Sequence, residues 1–442
     1  MQVSNWGKYP VVDADMVSAG TIEELRRIVK TSDSLVARGM GRCYGDSSLN
    51  KKIVSMLRLN RILSFDKRTG VIECEGGVTL ADLLETFVTR GWFPAVTPGT
   101  KFITVGGALA ADVHGKNHHV AGSFSKHTIS FKLLTSDGAV RTCSRSLQKD
   151  LFWATCGGMG LTGIILSVTF RLKKILSSYI RQETVKTSSL DEVMSAFEES
   201  KSWTYSVAWI DCYKAGKSFG RSLLMRGEHA TAEEARARGV TGDAFKLPWK
   251  FPLAVPFNLP GFILSQPVLK LTNAIISGIR KTGTSEQFID YDTFFYPLDR
   301  IMNWNRLYGR NGFVQYQFVL PKTTSREGLE QVLRAVSRFE YGSFLAVLKL
   351  FGKQEGLLSF PREGYTLALD FPVSKELFPF LNELDAIVLA HGGRLYLAKD
   401  GRMTAETFAQ SYGHRKKFQT VKRNADRRNI FRSLQSSRVG LA

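Results

Sequence analysis

Residues 97–122 constrain the fold of this chain more than any other stretch. Their sequence, TPGTKFITVGGALAADVHGKNHHVAG, contains five glycines and three of the chain's seven histidines. Glycines placed in this way let backbone N–H groups approach a bound group and turn towards it, as an anion such as a pyrophosphate requires. Glycine-rich loops are also common as plain turns. The stretch taken alone therefore leaves open an anion-binding loop or a turn-rich connection.

Two further glycine-rich stretches favour a ligand. Residues 36–50, VARGMGRCYGDSSLN, form a short apolar segment that enters a loop, and residues 151–164 are LFWATCGGMGLTGI. The first of these matches GxGxxG only loosely, and no helical pattern follows it directly, which argues against a Rossmann nicotinamide site. Two such loops can hold one ligand between them.

Together the three stretches resemble the FAD-binding domain of flavoproteins of the vanillyl-alcohol-oxidase (PCMH) type. HGKNHH at 114–119, FVQYQF at 313–318 and RLYLAKD at 394–400 are similar to motifs of the decaprenylphosphoryl-ribose 2′-oxidases within that superfamily. The resemblance runs over nearly the whole chain. It implies an α+β protein in which a PCMH-type FAD-binding fold is joined to a substrate domain, an antiparallel sheet covered by helices.

The activity implied by this resemblance is oxidation of the 2′-hydroxyl of polyprenylphosphoryl-β-D-ribose to the 2′-keto sugar. This is the first half of an epimerisation to the arabinose form for cell-envelope polysaccharide, so a separate NADH-dependent short-chain reductase is the implied partner. One alternative keeps the fold and FAD but changes the substrate to a soluble sugar, alditol or aldonolactone. Another is a basic, non-catalytic protein that binds nucleic acid or membrane. It leaves the three glycine-rich loops unexplained, so we expect no nucleic-acid partner.

The length of 442 residues predicts two domains. We place the FAD-binding domain at 1–176, the substrate domain at 177–393, and a C-terminal segment at 394–442 that returns to the first domain, as the resemblance implies. Apolar periodicity predicts helices at 22–30, 80–90, 189–199, 325–339 and 375–389. Strands are predicted at 34–37, 71–78, 164–172, 203–212, 313–320, 344–351, 365–371 and 394–399, with a hairpin at 131–142.

The resemblance implies that the glycine-rich stretches and one tyrosine of RLYLAKD hold the cofactor. The residues concerned are Arg38, Gly39, Met40, Gly41, Arg42, Cys43, Tyr44, Gly45, Asp46, Pro98, Gly99, Thr100, Thr104, Val105, Gly106, Gly107, Ala110, Ala111, His114, Gly115, Asn117, His118, Gly122, Ser123, Gly158, Gly160, Gly163, Ile164 and Tyr396. Other superfamily members attach flavin through a histidine at the position of Arg42 or a cysteine near Phe102. Neither nucleophile is present, so the resemblance implies a non-covalent FAD. Cys43 is interpreted as a small packed thiol rather than a redox centre.

Strand alternation indicates polar groups on apolar faces without reference to any family. Gln315 and Gln317 share one face of their strand, Lys349 interrupts an apolar strand, and Lys399 shares a face with two leucines of 394–399. Burial of such groups without a partner is costly, so each needs a carboxylate or an anionic ligand. Internal salt bridges, to Asp370 or residue 340, are the alternative to a ligand.

The resemblance implies that Lys116, Gln315, Gln317, Lys349 and Lys399 line the substrate pocket in front of the flavin ring. It places Lys399 and His114 in catalysis. Either could take the hydroxyl proton, and transfer of that proton to water is a third possibility. For His114 and its neighbours at 118 and 119, zinc or iron would require a carboxylate or thiolate close by, so we predict no metal.

Charge and composition predict where the protein acts. The net charge of +20 and pI near 9.7 favour anionic partners. Residues 247–271 are apolar and proline-rich with basic flanks, which favours contact with an anionic membrane surface. No signal peptide or transmembrane run is evident, and the five cysteines are scattered without a CxxC pair. We therefore predict a cytoplasmic protein, peripheral to the inner face of the cell membrane.

Overall fold

The computed structural model describes residues 1–213, 219–240, 242–248, 250–251, 253–260, 283–339, 343 and 346–442. Its strands are β1 (Gln2–Ser4), β2 (Val11–Asp13), β3 (Asp15–Ser18), β4 (Val36–Arg38), β5 (Lys52–Ser55), β6 (Ile62–Asp66), β7 (Val71–Glu75), β8 (Trp92–Pro94), β9 (Thr128–Leu134), β10 (Val140–Ser144), β11 (Ile164–Lys174), β12 (Tyr179–Thr187), β13 (Tyr205–Ile210), β14 (Ser222–His229), β15 (Leu253–Ala254), β16 (Thr284–Asp290), β17 (Ile301–Met302), β18 (Phe313–Pro321), β19 (Ala346–Phe351), β20 (Gly364–Pro372) and β21 (Arg394–Leu395).

The helices in these ranges are α1 (Ile22–Thr31), α2 (Leu80–Phe87), α3 (Val105–Ala110), α4 (His118–Ala121), α5 (Phe124–His127), α6 (Lys149–Thr155), α7 (Leu190–Glu199), α8 (Ala232–Ala237), α9 (Tyr291–Phe295), α10 (Ser325–Arg338), α11 (Leu377–Ala390), α12 (Ala405–Ser411), α13 (Arg415–Ala425) and α14 (Leu434–Arg438), with 3₁₀ turns at Val88–Arg90 and Trp304–Tyr308. Threonine and serine caps fix where two of them begin. The Thr21 hydroxyl accepts from the Glu24 N–H at the start of α1, and the Ser189 hydroxyl accepts from the Glu192 N–H at the start of α7.

The N-terminal part of the chain forms two sheets. A six-stranded antiparallel sheet has the order β10–β9–β11–β7–β6, with β8 paired to β11, and a parallel sheet has the order β3–β5–β4. The hairpin predicted at 131–142 is confirmed as β9 and β10, whose register pairs Val140 with Leu134. The glycine-rich stretches leave the ends of β4 and α6 and lead into α3, so the sheets bring all three to one side of the domain.

The second part of the chain is one eight-stranded sheet in the order β16–β12–β14–β13–β19–β20–β18–β21. One face packs on α7, α10 and α11, since side chains such as Leu348, Leu367 and Phe318 are fully buried against Leu333 and Leu381 of those helices. The opposite face is turned towards the first part of the chain. This arrangement matches the expected antiparallel sheet covered by helices.

The C-terminal segment packs on the N-terminal part. Phe431 forms a bridge with Leu35 beside the parallel sheet, and the Arg428 guanidinium donates to the Val29 carbonyl at 3.0 Å. The Gln435 side chain then reaches the Leu397 carbonyl at 2.7 Å. The segment therefore links the first glycine-rich region to the end of the large sheet.

The predicted helices and most predicted strands are confirmed to within a few residues. The prediction of one strand over 394–399 is wrong: β21 ends at Leu395. The N–H groups of Lys399 and Asp400 both donate to the Tyr396 carbonyl, which turns the chain. Residues 344 and 345 of one predicted strand, and residues 249, 252 and 261–271 of the segment 247–271, lie outside the described residues.

Candidate active site

A cavity of about 630 Å³ lies between the glycine-rich loops and the open face of the large sheet. This volume falls within the range of small-molecule and cofactor sites. One side, which we call the glycine wall, is made by the cavity-lining parts of residues 38–44, 98–107 and 159–163. The other, the sheet wall, is made by the cavity-facing side chains of β13, β14, β18, β19 and β20.

The glycine wall offers backbone donors to the cavity. Within the described part of the chain, no N–H group of residues 39–43 donates a hydrogen bond to a protein acceptor. Backbone N–H groups in folded proteins nearly always find a partner, so a run of five free ones at a cavity surface fits an anionic ligand. Gly41 there has φ of +62°, the left-handed region that favours glycine.

Two glycines leave open space where a side chain would stand. A Cβ added to Gly99 or Gly160 would meet no atom within 4 Å, and both residues line the cavity. At Gly39, by contrast, a Cβ would meet the Thr104 hydroxyl at 2.2 Å, so this glycine lets the first and second loops touch. Free amides beside a smooth, side-chain-free surface fit the pyrophosphate and flat rings of FAD.

A close backbone approach joins the glycine wall to the turn that carries Lys399. A Cβ on Gly45 would lie 1.8 Å from the Asp400 carbonyl oxygen, and the Tyr44 N–H donates to the Ala398 carbonyl at 3.0 Å. The Lys399 ammonium then lies 3.7 Å from the centre of the Tyr44 ring. Lys399 is therefore placed in the cavity by this junction rather than by strand alternation.

Strand alternation does place the other predicted side chains of the sheet wall. Gln315, Gln317 and Lys349 line the cavity, while their neighbours Val314 and Leu348 are buried in the helix-covered core. This face assignment is confirmed.

For one of these groups, Gln315, the structure contains the internal carboxylate partner that was the alternative to a ligand. The Gln315 amide donates to the fully buried Asp370 at 2.5 Å, and the Tyr308 hydroxyl donates to its other oxygen at 3.3 Å. Burial raises the pKa of Asp370, against the hydrogen bond from Gln315 and the positive charge of Lys399. Burial lowers the pKa of Lys399, and Asp370 offsets part of that effect. The pair forms the polar end of the sheet wall.

Lys349 and Lys116 have no carboxylate partner among the described residues. Burial lowers the pKa of Lys349 to about 8. Burial and then the charge of Lys349 lower the pKa of Lys116 to about 7. The Lys116 ammonium donates to the Phe294 carbonyl and lies 4.2 Å from the centre of its ring. Both lysines line the cavity and remain able to meet an anion.

His114 sits between the two walls as a neutral imidazole. Burial, reinforced by the charge of Lys349, lowers its pKa well below the ordinary value. Its Nε2 lies 3.2 Å from the Gln317 amide nitrogen, and its Nδ1 has no hydrogen-bond partner in the described structure. With the amide as donor, Nε2 accepts and the ring proton is on Nδ1.

The three histidines of 114–119 have separate partners. His118 Nδ1 accepts from the Gly352 N–H at 3.2 Å, and His119 Nε2 lies 2.9 Å from the Trp203 carbonyl oxygen. No group of three or more metal-ligating side chains occurs within the described ranges. These contacts tie the segment 114–119 to β19 and β13.

Most of the predicted cofactor residues line the cavity, and ten do not. Those outside the lining are Gly45, Asp46, Val105, Gly115, Asn117, His118, Gly122, Ser123, Gly158 and Ile164. They support the wall from behind: the Asp46 carboxylate pairs with Arg438 at 2.7 Å, and the Asn117 amide donates to the Ala95 carbonyl at 2.9 Å. A cofactor contact for these ten residues has no support in the cavity lining.

Arg42 and Phe102, the positions that the resemblance links to covalent attachment in other flavoproteins, are in contact with each other. The Arg42 guanidinium carbon lies 5.4 Å from the centre of the Phe102 ring and 4.0 Å from that of Trp6. Neither Arg42 nor Phe102 is a nucleophile. Cys43 lines the cavity, with its sulfur 3.1 Å from the Ser48 hydroxyl.

Several cavity residues carried no sequence signal. Val207 and Trp209 belong to β13, an apolar strand whose two faces look alike in sequence, and Phe294 and Asp299 come after β16. Met225 is different, because Arg226 and Glu228 mark the opposite face of β14 as the polar one. The Gln182 amide shares its face of β12 with Ile180 and Thr184, so alternation gave only a weak signal there.

Fold and site together define an FAD-dependent oxidoreductase with a PCMH-type fold. Residues 15–144 match a family described as "FAD binding domain". Over its whole length the chain is 37% identical to the decaprenylphosphoryl-beta-D-ribose oxidase of Mycolicibacterium smegmatis, of which it covers 97%. The chain belongs to the decaprenylphosphoryl-β-D-ribose oxidase family.

Two other relatives are more distant. An uncharacterised protein of Streptomyces coelicolor is 32% identical over 82% of this chain and 100% of its own length. The L-gulonolactone oxidase of Mus musculus is 26% identical over 60% of this chain and 58% of that protein. Separately, none of the helices in the described ranges has the length and hydropathy needed to cross a bilayer.

Proposed function

We propose that this flavoprotein oxidises the 2′-hydroxyl of a polyprenylphosphoryl-β-D-ribose to the 2′-keto sugar. The observation that carries the proposal is the sheet wall, where amides and unpaired lysines stand opposite a glycine wall that fits FAD. A neutral free sugar has no charge to meet Lys116 and Lys349, whereas a phosphoryl-linked sugar does. The full-length similarity to an oxidase whose name specifies decaprenylphosphoryl-ribose supports the same substrate.

Bound FAD supplies the acceptor for the hydride that leaves the carbinol carbon. The chain's part is to hold the sugar and to manage the hydroxyl proton. The half-buried Lys399, protonated once it has accepted the hydroxyl proton, can stabilise negative charge that develops beside it during the transfer, since a fixed cation in a water-poor site costs no reorganisation. The Gln317 amide is held by His114 and by the Thr366 hydroxyl, so it has a fixed orientation at the polar end of the cavity.

Of the two candidates for the hydroxyl proton, the geometry favours Lys399. The His114 Nε2 is already an acceptor for the Gln317 amide, and the lowered pKa of His114 makes it a poor base. Burial lowers the pKa of Lys399, which brings its amine form closer to neutral pH.

The test is anaerobic mixing of the purified holoprotein with farnesylphosphoryl-β-D-ribose, followed by the visible flavin absorbance. We expect rapid bleaching and a 2′-keto product by mass spectrometry. The matched comparison uses free ribose, ribitol and L-gulonolactone. Faster bleaching by any of these three would favour the alternative, an oxidase of a soluble sugar, alditol or aldonolactone, for which the similarity to L-gulonolactone oxidase is the supporting observation.

We also propose that FAD is held without a covalent bond and that an NADH-dependent short-chain reductase consumes the product. Reduction of the 2′-ketone from the opposite face gives the arabinose epimer, which completes an epimerisation for cell-envelope polysaccharide. Acid precipitation should release all of the flavin into the supernatant. Addition of such a reductase and NADH to the oxidase reaction should convert the keto sugar to the arabinose form, and an unchanged keto sugar would count against this partner.

A surface near the cavity supports contact with an anionic membrane. Phe251 and Phe257 are 64% and 63% exposed, and Met302 is 56% exposed on β17, which pairs with β15. The basic side chains of Arg300 and Arg310 are exposed on the same segment. Exposed aromatic groups next to basic ones suit the boundary between lipid headgroups and acyl chains.

On this basis we propose a cytoplasmic protein, peripheral to the inner face of the cell membrane. All five cysteines are free thiols, as a reducing compartment favours. The double variant Phe251→Ser/Phe257→Ser should sediment less with vesicles that contain anionic lipid, while its flavin content stays unchanged. Unaltered sedimentation would count against this surface.

A further inference from the structure

The side chains of the sheet wall change from polar to mainly apolar from one side of the sheet to the other. At one side, β18 presents Gln315 and Gln317; β20 and β19 follow, and then β13 and β14. Direct register pairs run from Gln317 to Ala368, from Ala368 to Val347 and from Val347 to Trp209. Neighbouring strands are about 4.8 Å apart, so Trp209 lies roughly 14 Å from Gln317 along the sheet.

The two unpaired lysines lie at the change from polar to apolar lining. Lys349 projects from β19, which β20 separates from β18, and its register partner on β20 is Thr366. Lys116 is attached to the next strand, because its carbonyl accepts from the Ser206 N–H of β13 at 2.8 Å. Lys349 therefore stands between the amides of β18 and the apolar strands, whereas the Lys116 ammonium donates to the carbonyl of Phe294, which follows β16.

Beyond the lysines the cavity lining is mainly apolar, although the amides of Gln182 on β12 and Gln287 on β16 also line it. Val207 and Trp209 of β13, Met225 of β14 and Ile289 of β16 line the cavity, and Val207 pairs directly with Met225. Trp209, Met225 and Ile289 are only half-buried by the protein itself. This part of the sheet leads towards the edge strand β16, so a chain of isoprene units can lie across it and leave the cavity.

Electrostatics favour an anion at Lys116 and Lys349. The charge of Lys349 is one cause of the lowered pKa of Lys116, so the two ammoniums repel each other. An anion between them would relieve that repulsion, and a charge-assisted contact from a lysine to a phosphate is stronger than a neutral one. Within the described residues Asp370 forms no ion pair with either lysine, and its oxygens accept instead from Gln315 and Tyr308.

We propose that Lys116 and Lys349 form a subsite for the phosphate of a prenyl-phosphate substrate, and that Trp209, Met225 and Ile289 hold its first isoprene units. The proposal rests on the proposed function, because it orders the sugar, phosphate and lipid along the same wall. It separates these two lysines from Lys399, which acts at the sugar end. It also separates them from the pyrophosphate of FAD, for which the amides of residues 39–43 are the matching donors.

The experiment measures binding without turnover, in the FAD-loaded protein, by isothermal titration calorimetry. The probes are farnesyl phosphate, farnesol and inorganic phosphate. We expect Lys116→Gln and Lys349→Gln each to weaken farnesyl phosphate at least about tenfold, with farnesol changed less than about twofold. Trp209→Ala should weaken both farnesyl phosphate and farnesol. Inorganic phosphate should bind far more weakly than farnesyl phosphate.

Controls separate the subsite from loss of folding. Lys349→Arg keeps the charge and should bind farnesyl phosphate within about threefold of the parent protein. Lys375→Gln makes the same change at an exposed lysine distant from the cavity and should have no effect. FAD content and melting temperature should be the same in all variants.

Three results would overturn the proposal: unchanged farnesyl phosphate affinity in both lysine variants, equal weakening of farnesol, or inorganic phosphate bound as tightly as farnesyl phosphate. Failure of the proposed function has a different signature. In that case farnesyl phosphate binds in a lysine-dependent way, but prenylphosphoryl-ribose does not bleach the flavin.

Discussion

The glycine wall and the sheet wall bind by opposite means. The glycine wall presents free N–H groups of residues 39–43 and the open surfaces of Gly99 and Gly160, with few side chains. The sheet wall presents long side chains, such as Lys349 and Gln317, from a regular backbone that is hydrogen-bonded mainly to neighbouring strands. The glycine wall binds through main-chain N–H groups, whereas the main chain of the sheet wall positions the side chains that bind.

Because of this difference, the two walls tolerate different kinds of mutation. A backbone donor survives most substitutions that keep the local conformation, but a glycine beside the ligand does not survive an added side chain. On a strand, a side chain can be exchanged while the backbone hydrogen bonds stay in place. Substitutions in the sheet wall can therefore alter substrate specificity without disrupting the fold. The walls should therefore respond differently to single substitutions.

The largest effect is expected at Lys399, on the turn that meets both walls. Lys399→Ala should slow flavin reduction by prenylphosphoryl-ribose by about a thousandfold, the scale of a lost transition-state donor. The measurement is anaerobic stopped-flow absorbance. FAD content should be unchanged, because the Lys399 ammonium packs on the Tyr44 ring and is not part of the run of backbone donors at 39–43. A rate within tenfold of the parent rate would remove Lys399 from catalysis.

The next effect tests the side-chain-free surface. Gly99→Val points its side chain into open cavity space without strain from the backbone, so FAD affinity should fall about a hundredfold or more. Equilibrium dialysis against FAD measures it. Gly413→Val is the matched control, since that exposed glycine also has no atom within 4 Å of an added Cβ. Equal FAD affinity in the parent and Gly99→Val proteins would contradict the assignment of the glycine wall.

A smaller effect tests how the two walls are joined. The fully buried Asp112 accepts from the Ser125 N–H at 2.9 Å on the glycine side. On the sheet side it accepts from the Gln354 amide at 3.1 Å and from the Ser359 hydroxyl. Burial raises the pKa of Asp112 from 3.8 to about 6. The folded protein therefore binds a proton more tightly than the unfolded chain does.

The sign of the pH effect follows from that raised pKa. Between pH 4 and pH 6 the folded state holds more protons at Asp112, so the free energy of unfolding falls as pH rises, by about 1–3 kcal/mol from this group. Asp112→Asn removes the titration and should flatten the slope in this window. Urea unfolding of both proteins at several pH values measures it, and parallel slopes would count against a raised pKa.

The smallest effect is expected at Cys43, because the glycine wall binds through its backbone N–H groups rather than through side chains. Cys43→Ser keeps a small polar group 3.1 Å from the Ser48 hydroxyl. FAD affinity and the rate of flavin reduction should each change less than about threefold. A larger loss, measured by the same dialysis and stopped-flow methods, would mean that the thiol itself takes part in the chemistry.

Local sequence patterns determined much of this fold. Apolar spacing gave the long helices α7, α10 and α11, and alternation assigned Gln315, Gln317 and Lys349 to one face, because both depend only on neighbours along the chain. The glycine-rich stretches indicate a ligand from the sequence alone. The resemblance to a flavoprotein family agreed with these local signals.

Only the tertiary structure decided the remaining features of the site. Lys399 enters the cavity because Gly45 lets two backbones touch at Asp400, a contact between residues far apart in sequence. Trp209 lines the cavity because β13 packs with that face inward, and an apolar strand carries no local mark of which face will be open. Pairing of Gln315 with Asp370 likewise depends on the register of β18 with β20. Such contacts form only when distant segments close on one another, so neighbours along the chain cannot specify them.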